Sequence, residues 1–427
     1  MTSEAAALGR AGALLTIDLD AIAENWRRLR SLGGPAECGA VLKADAYGLG
    51  AAPVGRALFA AGARSFFVAH LEEGIALRAA LTNSRRLSRL AGEVGRPQDD
   101  RVRAGPGLDK LPSPGAANAA PTSPASGRGD AKPTAPSEPR IVVLNGLLPG
   151  LAADYAAHDL TPALNDPGEI AAWAGHARAL GTALPGFVHL DSGMNRLGLA
   201  PEDQDRLAAD PGSLDGIAPI TWMTHLACAE EAGNPTNRAQ LDRFRRAVAT
   251  LPPAPVSIAN SSGIFLGRGF HGDLTRPGAA LYGINPIPGR PNPMADVVRL
   301  QARILQIRRV DTPMTVGYGA AHRVEGPARL ATIAVGYADG VPRSASGRGA
   351  VRIAGFTAPI TGRISMDLIT VDVTHIPEPL AAPGALAEII GPELTPDRLG
   401  ESAGTIGYEI LTSLGRRYAR RYLGGAE

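Results

Sequence analysis

Residues 40–48 of the 427-residue chain read Ala-Val-Leu-Lys-Ala-Asp-Ala-Tyr-Gly, so that Lys43 directly follows a short apolar run. Only three of the 43 basic residues are lysine, at positions 43, 110 and 132. Lys110 and Lys132 lie in a stretch too rich in Pro, Ala, Ser and Gly to fold. Arginine cannot replace lysine where an amine must lose its proton and attack a carbonyl. Lys43 is therefore a candidate Schiff-base lysine, and the alternative is a solvated surface lysine.

Short apolar runs alternate with helical patterns on both sides of Lys43. A strand over 14–19 precedes a helix over 21–32, and the strand over 38–42 precedes a helix over 51–61. The alternation continues to about residue 296 and gives seven or eight β-α units. Polar residues recur just after the strands, where barrels of this kind place their chemistry. The sequence therefore predicts an α/β protein with a (β/α)8 TIM-type barrel over residues 14–296.

Two segments do not fit the barrel pattern. Residues 1–13 carry no clear periodicity and are predicted to be a disordered N-terminus. Residues 82–139 are rich in Pro, Gly, Ser, Ala and Arg, and they contain few large apolar residues. Such a segment cannot bury enough apolar surface to offset its ordering entropy. The sequence predicts that 82–139 is a disordered low-complexity insertion within the barrel, after a helix over 71–80.

The pattern changes from residue 297 onward. Apolar residues alternate with polar ones over 300–310, 328–334 and 368–373, and Gly and Pro separate these runs. This alternation is typical of antiparallel strands. We therefore predict a C-terminal β domain over 297–427, with a final helix over 412–422.

Composition excludes several classes of function. The net charge of +2 gives no footprint for nucleic-acid binding, and no apolar run is long enough to span a membrane. The two cysteines, Cys38 and Cys228, have no disulfide or metal-site spacing and are predicted to be buried thiols in a reducing compartment. The N-terminus is a poor signal peptide. These features predict a cytoplasmic protein without a metal site.

Seven short motifs resemble, in family order, those of the alanine racemases, which depend on pyridoxal phosphate and have fold type III. The motifs are VLKADAYG at 41–48, DSGMNRLG at 191–198, TRPG at 275–278, GYG at 317–319, GYADG at 336–340, GRISMD at 362–367 and GYE at 407–409. Apart from the insertion at 82–139, the resemblance runs from about residue 16 to residue 414. It implies racemisation of L- and D-alanine, with D-alanine supplied for peptidoglycan.

The resemblance also implies two catalytic bases. Lys43 would hold the cofactor and act on the face of the D-enantiomer, while Tyr318 would act on the other face and come from the partner subunit of a homodimer with shared active sites. Free Lys and Tyr side chains have pKa values near 10, so each pKa must fall by about two to three units. Arg196 and His225 are the expected sources of positive charge near Tyr318.

The remaining site residues follow from the same resemblance. Arg276 would face the pyridine nitrogen and keep it unprotonated, because arginine donates hydrogen bonds but cannot accept them. This arrangement weakens the electron sink and suits a racemase. The cofactor-binding set is Lys43, Tyr47, His225, Ser261, Arg276, Gly278, Ile284 and Tyr408. The substrate-binding set is Arg196, Met366 and Tyr337.

One position departs from the family pattern. Many members have a carbamylated lysine that braces the arginine corresponding to Arg196, but the residue here is His189. Imidazole cannot form that carbamate, so a bound anion or the neutral imidazole itself is expected to brace Arg196.

Three alternatives to alanine racemisation follow from the sequence. They are a racemase of broader specificity with the same fold, a barrel that only binds pyridoxal phosphate, and a related decarboxylase. The β domain with Tyr318 argues against the second. The third would need a glycine-run phosphate loop and a carboxylate at the pyridine nitrogen.

Overall fold

A computed structural model describes residues 10–94 and 138–425 of the chain. The predicted disorder of residues 1–9 and of most of the insertion, 95–137, lies outside the described residues. Within the described ranges, no helix is both long enough and apolar enough to cross a membrane.

A sheet of parallel strands curls into a barrel until its two ends meet at Gly39. The short strands on either side of Gly39 act as one, because β2 pairs with the last barrel strand and β3 pairs with β4. The bounds are β2 Glu37–Cys38, β3 Ala40–Val41, β4 Ser65–Val68, β5 Arg140–Val143, β6 Leu160–Leu164, β7 Leu184–His189, β8 Ile217–Met223, β9 Val256–Ser257 and β10 Leu274–Thr275. This arrangement confirms the predicted barrel.

Helices connect the barrel strands, and local sequence sets many of their ends. The side chains of Asp166 and Asn234 accept backbone N–H bonds at the first turns of their helices, and proline follows both. The helices are Leu19–Gly33, Ala51–Ala61, Leu71–Val94, Ala152–Ala157, Pro167–Leu180, Pro201–Ala209, Pro235–Ala249 and Ser261–Phe265. The helix from Leu71 continues to Val94, so the predicted helix end at residue 80 is wrong.

The first strand of the chain belongs to the second sheet, so its predicted place at the start of the barrel is wrong. β1 (Ala13–Asp18) pairs antiparallel with β11 (Val298–Val310), with Leu15 opposite Leu300. Alternation of apolar residues predicts a strand but does not show which strand it pairs with. In the structure β1 completes the core of the β domain. The other strands are β12 Met314–Val316, β13 His322–Val324, β14 Ala328–Ile333, β15 Ala350–Ile353, β16 Phe356–Pro359, β17 Ile369–Asp372, β18 Leu386–Ile390 and β19 Ala419–Leu423.

The predicted final helix over 412–422 is also wrong. The structure has helices Pro396–Ala403 and Gly407–Thr412, and then β19, which pairs parallel with β1. The free edge of β1 offers unpaired backbone groups, so pairing there outweighs the helical tendency of an Arg-rich segment. Short 3-10 helices occupy Pro211–Leu214, Arg268–Phe270, Ala279–Tyr282, Tyr318–Ala320, Tyr337–Asp339, Arg343–Ala345 and Glu378–Leu380.

One continuous apolar core runs from the barrel into the β domain. Three buried tryptophans pack in the barrel, and each indole N–H donates to a carbonyl oxygen, as for Trp26 and Cys38 at 3.2 Å. Burial raises the pKa of the Cys38 thiol to about 12, which leaves it unreactive. Cys228 is only half-buried, so its predicted full burial is wrong.

Candidate active site

A cavity of about 420 Å³ opens at the carboxyl ends of the barrel strands. It contains seven of the residues that the sequence singles out, although they are separated by up to several hundred positions in the chain. These seven are Lys43, Tyr47, His225, Ser261, Arg276, Gly278 and Tyr408. They meet because parallel strands end at one face of a barrel. The cavity volume lies in the range typical of sites for cofactors and small ligands.

Lys43 is followed by a left-handed turn of the backbone. Ala44, Asp45 and Ala46 have φ of 53–54° and ψ of 47–53°, and Tyr47 has φ of 55°. This conformation costs L-residues about 1–2 kcal/mol each, so surrounding contacts must hold it. The Asp45 carboxylate accepts the N–H of Ala51 at 2.7 Å, which ties the turn to the next helix. The turn directs Lys43 and Tyr47 into the same cavity.

The surroundings of Lys43 favour its neutral amine. Burial lowers the pKa of Lys43, and the nearby Arg196 guanidinium lowers it further. The Glu73 carboxylate opposes these effects and raises the pKa. A lysine with a depressed pKa can act as a nucleophile or as a base near neutral pH. The direction of this shift is the one that a Schiff-base lysine needs.

Arg276 is a buried cation with only neutral hydrogen-bond partners among the described residues. Its side chain is 3% exposed, and its guanidinium donates to Ser257 Oγ and to the carbonyl oxygen of Thr224, both at 2.6 Å. Burial lowers the pKa of Arg276 to about 10, so the group stays charged at neutral pH. No carboxylate pairs with Arg276 in the part of the chain that the structure describes, and its charge acts on His225 and His189.

The structure corrects the expectation that His225 carries charge. Burial lowers the pKa of His225 well below its usual value, and Arg276 and Arg196 lower it further. His225 is therefore neutral near pH 7. Of the two expected sources of positive charge near Tyr318, Arg196 is the one that remains.

Hydroxyl groups and a glycine form one end of the cavity. Ser261 Oγ accepts the N–H groups of Gly278 at 2.9 Å and Ala280 at 3.2 Å. A Cβ added to Gly278 would lie 2.6 Å from the Tyr47 hydroxyl, so only glycine fits there. Burial raises the pKa of both Tyr47 and Tyr408, so both phenols keep their protons and can donate hydrogen bonds. This end suits a phosphate group.

These features fit pyridoxal phosphate. Hydroxyl donors for the phosphate, a buried arginine for the pyridine nitrogen and a lysine with a depressed pKa line one cavity. The Arg276 Nε atom makes no hydrogen bond within residues 10–94 and 138–425, which leaves it free to donate to a ligand.

Ile284 lies outside this cavity. Its side chain is 1% exposed, and its backbone N–H donates to the carbonyl oxygen of Ala279 at 3.3 Å. Ile284 instead lines a neighbouring cavity of about 570 Å³, which shares Tyr408 with the first. Ile284 therefore lies beside Tyr408 but apart from the other predicted cofactor residues.

The remaining predicted residues are exposed, and none lines the cavity. Tyr318 is 71% exposed on the loop between β12 and β13, Met366 is 53% exposed and Tyr337 is 42% exposed. Tyr337 and Met366 lie on adjoining loops, since the Tyr337 N–H donates to the Ser365 carbonyl oxygen at 3.0 Å. Arg196 is exposed too, but it is near enough to lower the pKa of Lys43.

The sequence alone does not predict several residues at the site. Glu230 and Ile406 line the cavity, yet they lie in loops without a distinctive pattern. Glu73 and Asn165 form hydrogen bonds just behind it. A signal exists for Glu73 alone, because an acidic residue at the third position of a helix is a common cap.

Family models cover nearly all of the described chain. A model of the alanine racemase N-terminal domain matches residues 17–104 and 130–286, and a model of the C-terminal domain matches residues 297–422.

Individual relatives match over the whole length. An alanine racemase from Rhodospirillum rubrum is 44% identical over 98% of both chains. A catabolic alanine racemase from Agrobacterium fabrum is 43% identical over 98% of this chain and 94% of its own.

Solved structures share the fold. A Bartonella henselae alanine racemase with covalently bound pyridoxal phosphate has a TM-score of 0.80 and 35% identity, over 97% of this chain and all of its own. A biosynthetic alanine racemase from Pseudomonas aeruginosa has a TM-score of 0.77 and 30% identity over the same shares.

Proposed function

The chain belongs to the alanine racemase family, and from that premise we propose that it interconverts L- and D-alanine by a two-base mechanism. Lys43 and Tyr318 are the two bases, one on each face of the substrate. The cofactor is pyridoxal phosphate, which supplies an electron sink for the negative charge left when the α-proton is removed. The residues of the chain bind and orient this group and move the proton.

Each cavity residue has a role in this proposal. Burial and Arg196 lower the pKa of the Lys43 amine, which favours the neutral form that can bond to the cofactor and later carry a proton on Nζ. The protonated phenols of Tyr47 and Tyr408, together with Ser261, hold the phosphate end. Arg276 would donate to the pyridine nitrogen, and because arginine cannot accept a hydrogen bond, that nitrogen would stay unprotonated.

The observation that carries the proposal is the separation of the two bases within one chain. Lys43 lines the cavity, whereas Tyr318 is 71% exposed and does not line it. A base must come within hydrogen-bond reach of the proton it removes. We therefore propose a homodimer in which Tyr318 of one subunit completes the site around Lys43 of the other, with Tyr337, Met366 and Arg196 around the substrate.

Complementation between inactive chains tests this arrangement. Lys43→Ala chains and Tyr318→Phe chains are mixed and allowed to exchange subunits. Each heterodimer regains one complete site, so the mixture should reach at most about a quarter of wild-type activity under random reassortment. Lys43→Ala mixed with the Lys43→Ala/Tyr318→Phe double variant is the control, because no complete site can form. Absence of recovery despite demonstrated exchange would mean that each chain supplies both bases.

We propose that the D-alanine is used for peptidoglycan. The Pseudomonas aeruginosa structure is named biosynthetic, whereas the Agrobacterium fabrum relative is named catabolic, which makes D-alanine breakdown the second candidate role. Deleting the gene separates the two roles. A requirement for D-alanine supports the first, and loss of growth on D-alanine without that requirement supports the second.

Specificity can be measured directly. Incubation with single L-amino acids, followed by chiral chromatography, separates strict alanine racemisation from the broader-specificity alternative. The cytoplasmic location stays a prediction.

A further inference from the structure

Glu73 joins two segments of the barrel through backbone hydrogen bonds. It lies in the first turn of the helix Leu71–Val94, directly after β4. Its Oε2 atom accepts the N–H of Ala69 at 2.7 Å and of His70 at 3.2 Å. Its Oε1 atom accepts the N–H of Ala44 at 2.6 Å, from a segment 29 positions away in the chain.

The first two of these bonds have an ordinary explanation. An acidic side chain at the third helical position often reaches back to the N–H groups that precede the helix. A capping role does not explain the bond to Ala44, which lies on a different element. Bonds between a carboxylate and a backbone N–H are among the stronger ones in proteins.

Ala44 is the first residue of the left-handed turn that follows Lys43. Four consecutive residues without a glycine adopt positive φ there, so the turn is strained and persists only if its surroundings hold it. Asp45 fixes the far end through Ala51. Glu73 is the side chain that fixes the near end, next to Lys43 itself.

We propose that Glu73 is a positioning residue that holds the left-handed turn through the Ala44 N–H and so presents Lys43 to the cofactor cavity. It acts through the turn and touches neither substrate nor cofactor. The proposal rests on the proposed role of Lys43 as the lysine that bonds to the cofactor. In support, Glu73 is close enough to act electrostatically on the Lys43 amine, against the effects of burial and Arg196.

The chain offers a matched control next to the residue in question. Glu72 is exposed and makes no hydrogen bond or ion pair with any described residue. Glu72→Gln and Glu73→Gln remove the same charge one position apart. Glutamine has only one side-chain oxygen that can accept hydrogen bonds. In Glu73→Gln it therefore cannot serve both the helix cap and the Ala44 N–H, and one of the two is lost.

Hydrogen exchange of the protein without cofactor tests the turn independently of catalysis. In Glu73→Gln the amides of residues 44–48 should exchange at least about tenfold faster than in wild type, whereas Glu72→Gln should match wild type. Faster exchange confined to residues 69–75 in both Glu73→Gln and Glu73→Ala, which keeps no acceptor oxygen, would show that Glu73 is only a helix cap and would overturn the proposal. Glu73→Asp, which keeps the charge but is one methylene shorter, serves if Glu73→Gln fails to fold.

Kinetics of the holoenzyme provide the second readout. Glu73→Gln should lower kcat by at least about tenfold with little change in KM, and it should shift the pH dependence of kcat to lower pH. Adding Ala44→Gly should restore part of kcat, because glycine adopts the left-handed conformation without strain. If Glu73→Gln keeps the wild-type kcat although its amides at residues 44–48 exchange faster, the positioning role is refuted. Failure of the proposed function would look different, since Lys43→Ala would then retain covalently bound cofactor.

Discussion

The Nδ1 atom of His189 lies 2.9 Å from the Oδ1 atom of Asn165. The Asn165 amide nitrogen donates to the carbonyl oxygen of Ala163 at 2.8 Å, so Oδ1 is identified as the oxygen and can only accept. His189 therefore carries its proton on Nδ1 and presents a lone pair on Nε2. Burial lowers the pKa of His189 to about 4, and the Arg276 charge adds to this effect. A neutral acceptor thus occupies the position of the carbamylated lysine that the family resemblance implies.

Activity should not depend on bicarbonate or carbon dioxide. His189 cannot form a carbamate, and no other lysine than Lys43 occurs in the described ranges 10–94 and 138–425. The measurement is the racemisation rate in degassed, bicarbonate-free buffer, which should equal the rate in buffer with added bicarbonate. Chloride should be varied separately, because a bound anion could assist Arg196. A reversible loss of activity on removing bicarbonate alone would contradict this account.

The pH dependence of stability should report the buried His189. Its pKa is about 4 in the folded chain against about 6.5 unfolded, so the unfolded state binds more protons in that window. The contribution of His189 to the free energy of unfolding is then fully present above pH 6.5 and falls by up to about 3 kcal/mol as pH drops to about 4, and the buried His225 adds a fall in the same direction. Urea unfolding of the cofactor-free protein at several pH values measures this slope. His189→Gln should make the slope shallower, leaving the part due to His225. His176→Gln, on the helix Pro167–Leu180, is the control. An unchanged slope in His189→Gln would refute the assignment.

Lys43→Ala should abolish covalent attachment of the cofactor and lower activity by more than about 1,000-fold, because the amine is both the attachment point and a base. The other lysines, Lys110 and Lys132, lie outside the described residues and in a segment predicted not to fold. The measurement is visible absorbance of bound cofactor after dialysis, with circular dichroism to establish folding. Absorbance that resists dialysis in this variant would contradict the role of Lys43.

Tyr318→Phe should retain the cofactor and lose racemisation in both directions by at least about 100-fold, because each direction needs one base to take a proton and the other to give one. In deuterated water the variant should still exchange the α-proton of D-alanine through Lys43, without inversion. Nuclear magnetic resonance follows the exchange, and chiral chromatography follows the inversion. Tyr422→Phe provides a control tyrosine outside the cavity, on β19. Efficient inversion by Tyr318→Phe would show that another group is the second base.

The sequence by itself predicts the barrel, the cofactor and seven of the residues that line the cavity. The β-α alternation is a local pattern, and Lys43, Ser261 and Arg276 each follow a strand, so the rule that parallel strands end on one face brings them together. The rarity of lysine in an arginine-rich chain identified Lys43 without any knowledge of its surroundings.

Only the tertiary structure decided the relationships that depend on distant parts of the chain. Strand propensity could not assign β1 to the second sheet or convert the last predicted helix into β19, because strand pairing is a contact between remote segments. The neutral state of His225 arises from burial near two arginines, and the proton on His189 is fixed by Asn165. The left-handed turn after Lys43 contains no glycine that would predict it; its bond to Glu73 exists because two neighbouring strands of the barrel end side by side.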